Sequence, residues 1–398
     1  MRTLVPLLLA AGVVWAGEEQ LREAEQHRDY ALRHFEESLG HRAPKSIPIR
    51  LLKKKREAKR VESGLFVVND AWMKERAFYD STRSEIVVPA SYPARAFQSA
   101  VWHETAHAYR DAHTNITEFL GAASKVDGDW TWAVSCLMEG DAVLLTSALS
   151  LAWAQRKPLD GEIRVAAETL WERRRARVPL SHESEPYGHG GAFAARVYLA
   201  RGKKGLDDAF RCPPRSTEQI LHPEKYLAPE PDEPEVFTGG CLDDQLGEGW
   251  SRRTVVLGEL VLRFNLAHTL GRERAAAAAA GWDGCLVDFY TKDDEELFAL
   301  VSTWDTEGDA AEFAHAWCHS QCLKHGREFE VHTIVGAAGE RQTAKTAGGL
   351  VVTVRRKRDV VALVGDCDTK EATGLLVRLW KHDRRTRRKD ERPDASAR

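Results

Sequence analysis

The chain has 398 residues, 43% of them hydrophobic and 29% charged, with a formal net charge of -3. That length exceeds one small core and calls for one large or two medium domains, and the composition excludes a disordered or fibrous chain. A near-balanced charge gives no whole-molecule attraction for nucleic acid or an anionic membrane, so neither is expected as a partner.

In chain order, Arg2 followed by the apolar run Leu4 to Val14 and the small-residue end Val14-Trp15-Ala16 predicts a cleavable export signal over 1–16. The run is short for a bilayer span, so the expected destination is periplasmic or extracellular, without stable membrane insertion after cleavage. Glu18 to Leu39 alternates charged and apolar residues at helical spacing and ends at Gly40. Ile47 to Leu52, Gly64 to Asn69 and Glu85 to Val88 read as strands, the last closed by Pro89. The basic cluster Lys53 to Arg60 reads as a solvated face. A helix then starts near Pro93, with Ser91 as its expected cap, and runs through Val101, Trp102, Ala106 and Tyr109.

Trp130 to Trp153 and Gly161 to Arg177 follow as helices, and Tyr187-Gly188-His189-Gly190-Gly191 reads as a flexible polar turn. Four prolines among acidic residues precede Gly239-Gly240 and mark a domain boundary. Beyond it, one helix is expected from Leu257 to Ala280, stopped by Gly281. Strands are expected over Cys285 to Tyr290, Leu297 to Trp304, Val331 to Val335, Leu350 to Arg355 and Asp359 to Val364. Between them a helix capped by Asp305 or Thr306 is expected, and a last helix over Lys370 to Trp380. The predicted class is α+β. A mainly helical domain with a small sheet spans 17–230, a linker 231–249, a smaller α+β domain 250–381, and a disordered basic tail 382–398.

Seven Cys are an odd number, so at least one thiol must be free, paired between chains or bound, and they are spread too thinly to be a disulfide scaffold. Cys318 and Cys322 lie four apart, whereas a zinc clip spaces its thiolates two residues apart and needs further ligands, so they are not read as one. Asp305 to Asp309 is read as helix capping rather than a calcium loop, and His113 as a helix-end side chain.

The chemistry is concentrated in His103-Glu104-Thr105-Ala106-His107. Positions four apart on a helix share a face, so both imidazoles can meet one tetrahedral cation while Glu104 projects toward its open position. Downstream, Glu139 sits in the apolar stretch Cys136-Leu137-Met138-Glu139-Gly140-Asp141-Ala142. A carboxylate in that setting is costly unless its charge is matched, and one Zn2+ would match it. Gly140 would let another backbone approach closely.

Extended to His103-Glu-Thr-Ala-His107-Ala-Tyr-Arg-Asp111, the run resembles the His-Glu-x-x-His-Ala-x-x-Asp of the gluzincins, the thermolysin-like zinc metallopeptidases. The resemblance implies His103, His107 and Glu139 as ligands of one zinc ion per chain and Glu104 as general base toward a peptide or protein substrate. The family often has an Asp four residues after the third ligand, to support the first His; Val143 stands there, leaving Asp141 or Asp111 as substitutes. A second resemblance, carried by Pro213-Pro214-Arg215-Ser216-Thr217-Glu218-Gln219-Ile220-Leu221-His222-Pro223-Glu224-Lys225-Tyr226, is to a family of exported bacterial proteins. It implies the same peptidase class without a substrate.

Peptide hydrolysis also needs a donor to the oxyanion, for which His189 and Tyr226 are the named candidates beside Tyr187 and His222. Two rival readings stay open. One is a zincin fold that binds zinc without catalysis and serves binding or adhesion outside the cell. The other is a pair of helix-face histidines that hold no metal.

Overall fold

The computed structural model describes residues 4–52, 76–114, 116–126, 128–173, 185–240, 242–324, 332–336, 339–345, 351–357 and 360–367. The expected strand at 64–69, the basic cluster at 53–60, the helix at 370–380 and the tail at 382–398 lie outside them. The class is α+β, in two compact units.

The first unit comprises the chain up to Ala122 and Val134–Pro213. Helix α1 (Leu4–Leu39) is continuous from the apolar first run into the amphipathic stretch and stops where Gly40 turns to φ 86. Its core face carries Ala24, Ala31 and Phe35, all fully buried at helical spacing. Strands β1 (Ile49–Leu52), β2 (Phe78–Asp80) and β3 (Glu85–Pro89) form a sheet in the order β1-β3-β2, with β1 parallel and β2 antiparallel to β3. Ile86, Val87 and Val88 are fully buried, as a central strand covered on both faces requires.

Helix α2 (Ala94–Asp111) leaves β3 through Pro93, whose extended ψ of 124 makes it the residue before the first turn. No side chain caps this end, so Ser91 does not have the expected role. After α3 (Ile116–Val126) comes α4 (Gly128–Gln155), long and apolar enough to cross a membrane by composition. In its most apolar window 72% is buried, and the successive residues Ala133, Val134, Ser135 and Cys136, spread round the helix at about 100° per step, are all covered. That is the pattern of a core helix. Helices α5 (Leu159–Arg173) and α6 (Glu185–Arg211, broken at Gly202) complete this unit.

The second unit comprises Ala123–Ala133 and the chain from Pro214. The division therefore falls ahead of the expected 231–249 linker, for a physical reason. Thr217, on the short helix α7 (Thr217–Leu221), donates its hydroxyl to Asp129 Oδ1 at 2.5 Å and its amide to Oδ2 at 3.1 Å. The same hydroxyl accepts the Leu260 amide at 3.2 Å, so the buried Ser216-Thr217-Glu218-Gln219 segment is tied to the helix that begins at Glu259.

After α8 (Pro223–Leu227), a second sheet is built from β4 (Ser251–Val256), β5 (Trp282–Lys292), β6 (Glu295–Trp304), β7 (His332–Gly336), β8 (Gly339–Lys345), β9 (Val351–Lys357) and β10 (Val360–Cys367). All pairings are antiparallel, in the order β4-β5-β6-β10-β9-β8-β7. The single helix expected over 257–280 is two, α9 (Glu259–Leu270) and α10 (Arg272–Ala279), because Gly271 takes φ 77 and breaks the ladder. With α11 (Glu307–Lys324), whose first turn Thr306 caps by accepting the Asp309 amide, these helices cover one sheet face through Leu262, Leu266, Trp282, Trp304 and Phe313.

Candidate metal centre

Helix α2 carries His103, Glu104 and His107, and its burial is set by Val101, Trp102, Ala106, Ala108 and Tyr109 on the surrounding faces. Helix α4 carries Glu139. The three predicted ligands meet: His103 Nε2 lies 3.0 Å from Glu139 Oε2 and 3.1 Å from His107 Nε2, and His107 Nε2 lies 3.4 Å from the same oxygen. A tetrahedral cation with nitrogen and oxygen ligands at ~2.0–2.1 Å separates those ligands by roughly 3.3 Å, so the triangle has the edge lengths such an ion requires. Two imidazoles and one carboxylate are also the donor set that leaves zinc a fourth position. The residues present can hold a metal ion.

The helices reach this point because two contacts fix them. At the first, α4 and α6 cross backbone to backbone: a Cβ on Gly140 would stand 2.1 Å from the carbonyl carbon of Gly190, and one on Gly190 would stand 2.0 Å from the carbonyl oxygen of Cys136. Gly140 thus meets a second glycine. At the second, buried Arg110 of α2 grips Asp141 of α4 with two bonds of 2.8 and 2.9 Å and Asp207 of α6 with a third of 2.8 Å, its guanidinium 4.8 Å over the Phe210 ring. Asp141 is therefore committed to Arg110. Asp111 accepts from the Tyr79 hydroxyl at 2.9 Å and the Thr117 hydroxyl at 2.5 Å. Neither supports His103 as the sequence suggested, and among the described residues both imidazoles find their polar partners at Nε2 alone.

Burial pushes the Glu104 carboxyl up to about 8; His103 opposes that rise, neighbouring Glu139 adds to it, and the backbone amide of Tyr79 in β2 moderates it. Glu139 is also fully buried, which by itself would raise it. The imidazoles of His107 and His103 outweigh that and hold it well below the usual carboxylate range. Tyr187 is the aromatic neighbour of the site, its ring centre 5.8 Å from that of His103. Its phenol is raised above the ordinary value by burial and by Glu139 and Glu104, with a bond from Arg76 opposing. Tyr92 is raised by burial and then by the neighbouring Glu104.

His189 does not sit on a flexible turn: it lies inside α6, two residues after Tyr187 and so roughly 200° further round that helix. Local glycine content argues for a turn, but the Gly190–Gly140 crossing selects a helix there. His222 and Tyr226 belong to the second unit. His222 Nε2 is 3.1 Å from buried Glu259 and 3.3 Å from Arg263, a structural engagement, and Tyr226 lies on α8. Sequence reasoning passed over Tyr92 and Arg76, for which no spacing gave a signal.

A second cluster, Glu218, Asp232 and Asp305, has its oxygens grouped closely enough for a cation. The Lys225 ammonium already occupies that role, at 2.6, 2.8 and 2.6 Å from the three carboxylates.

Compared with known families, residues 245–375 match the family described as Domain of unknown function (DUF8575). That segment lies in the second unit and excludes every residue of the metal centre. No curated protein and no solved structure matches the chain.

Proposed function

We propose that this chain is an exported zinc-dependent hydrolase, most simply a metallopeptidase of the gluzincin kind. The observation that carries the proposal is the triangle of His103 Nε2, His107 Nε2 and Glu139 Oε2, with edges of 3.0, 3.1 and 3.4 Å beside a buried acid on the same helix turn. His103, His107 and Glu139 would hold the ion. When bound, zinc acidifies water and polarises a substrate carbonyl.

The remaining chemistry belongs to the protein. Glu104, one residue after the first ligand and anchored by the Tyr79 amide, acts in its carboxylate form, which takes a proton from the attacking water and returns it to the leaving amine; the raised pKa makes that carboxylate a stronger base. Tyr187, a neutral phenol beside His103 and near both acids, would donate to the developing oxyanion. Of the four candidates it is preferred to His189, which lies about 200° further round α6, and to His222 and Tyr226 on other elements. A donor of this type contributes roughly 3–4 kcal/mol to the transition state.

Zinc measured on purified protein tests the reading: about one ion per chain in wild type, and a large loss in Glu139→Ala and in His107→Ala. No zinc in wild type would end it. N-terminal sequencing of material from an exporting host tests the leader, with cleavage expected after Ala16.

One observation favours a second reading, zinc binding without catalysis: neither imidazole has a described partner that fixes its other nitrogen. Hydrolysis of casein decides between them. Loss of activity in Glu104→Gln at unchanged zinc content supports the enzyme, whereas an inert wild type with full zinc supports the binding protein.

A further inference from the structure

Beside His107, on the side of α2 that continues to Asp111, lies a recess of about 10 Å³ whose lining includes Tyr79, His107, Asp111, Thr117 and Met138. That volume is about what one water molecule needs, provided two or more polar groups hold it. Three properties of its walls bear on the metal centre. His107 presents Nε2 to Glu139 and His103, which leaves Nδ1 as its one polar atom available on the other side. Asp111 stands one helical turn after His107, on the same face of α2. The Asp111 carboxylate is held in place by the Tyr79 and Thr117 hydroxyls, one on each oxygen, and each oxygen keeps a free lone pair.

From this geometry we infer that one buried water in the recess accepts the His107 Nδ1 proton and donates to Asp111, so that Asp111 is a positioning residue for the second metal ligand. The bridge fixes the tautomer in which Nε2 carries the lone pair, and the negative carboxylate makes that lone pair a better donor. It replaces, for His107, the direct carboxylate contact that Val143 denies the first imidazole. Arg110 and Asp141 also border the recess, but Arg110 spends its donors on Asp141 and Asp207, and the Asp141 charge is matched by that guanidinium, whereas Asp111 faces two neutral hydroxyls and is the stronger acceptor. The inference rests on the zinc reading only for its effect on affinity; the tautomer is a property of the metal-free chain.

The test uses the full chain, with zinc alone as ligand. Chelator competition gives the zinc affinity, and nitrogen-15 NMR of labelled metal-free protein gives the His107 tautomer. Wild type is expected to show Nδ1–H at His107. Asp111→Asn should weaken zinc by roughly 10- to 100-fold and leave a mixture of tautomers. Tyr79→Phe, which frees the carboxylate without removing it, should show a smaller shift in the same direction, and it decides the matter if Asp111→Asn fails to fold. Zinc affinity within twofold of wild type in both variants, with an unchanged Nδ1–H signal, overturns the inference. A wild type that takes up no zinc overturns the metal reading instead, and the tautomer still decides this one.

Discussion

Substitution of Gly140 by alanine tests whether the α4–α6 crossing holds Glu139 in place. The added Cβ would stand 2.1 Å from both the carbon and the oxygen of the Gly190 carbonyl. Ordinary contact between such atoms is about 3.5 Å, so the helices must separate by more than an ångström, since backbone cannot rotate aside as a side chain does. Overpacking of this sort costs ~1–3 kcal/mol or more, and the better helix propensity of alanine returns only ~1. The expected net loss is about 2 kcal/mol, read by urea denaturation at pH 7. Gly161→Ala on α5 is the control, because nothing lies within 4 Å of its Cβ, and there the propensity gain of up to ~1 kcal/mol should appear alone. A separation of that size also exceeds the roughly 0.2 Å tolerance of metal–ligand distances, so zinc affinity should fall at least ~10-fold. If Gly140→Ala is as stable as Gly161→Ala and keeps its zinc, the crossing does not position the ligand and the argument is wrong.

Arg110→Met leaves Asp141, 1% exposed, without its partner, and should destabilise the protein by ~3–5 kcal/mol in the same denaturation assay. A loss under 1 kcal/mol would mean that the clamp is dispensable. Asp283 has its carboxyl raised from 3.8 to about 7 by burial and by Glu235, Asp232 and Asp305. The folded state therefore holds a proton that the unfolded chain releases, and stability falls as pH climbs through that window. Discounting the ~4 kcal/mol ceiling for partial exposure, Asp283→Asn should be more stable than wild type by ~2 kcal/mol at pH 8 and equal to it near pH 4. Calorimetry at the two pH values reads the difference, and a constant offset would contradict the assignment. Zinc at about 100 times its dissociation constant should stabilise wild type by ~2.7 kcal/mol, reversibly on adding chelator, and leave Glu139→Ala unmoved.

What could be read without coordinates was local. The four-residue spacing of His103 and His107 fixes a shared helix face wherever the helix goes, and Glu139 betrays itself as a charge in an apolar run. What failed to show was tertiary. The glycines around His189 look like a turn until a second helix is pressed against them, and the prolines after Leu221 look like the domain boundary until Asp129 accepts from Thr217. Gly271 was legible in principle, since its left-handed φ of 77 is what glycine permits, but good helix formers on both sides, leucines before it and Arg272-Glu273-Arg274 with a run of alanines after it, concealed the break. Strand β8, Gly-Glu-Arg-Gln-Thr-Ala-Lys, lacks the apolar alternation by which strands are found and is specified by its neighbours.

The placement of β10 between β6 and β9 has a cost during synthesis. Val360–Cys367 is the last strand of the sheet to leave the ribosome, yet it joins the β4-β5-β6 half to the β9-β8-β7 half. Until it arrives, β6 and β9 each present an open row of amides and carbonyls to the surroundings. Long-range closure of this kind is slow and exposes sticky edges, so a nascent chain halted before Val360 would carry two unfinished half-sheets able to pair with other chains, and would depend on chaperones to stay soluble.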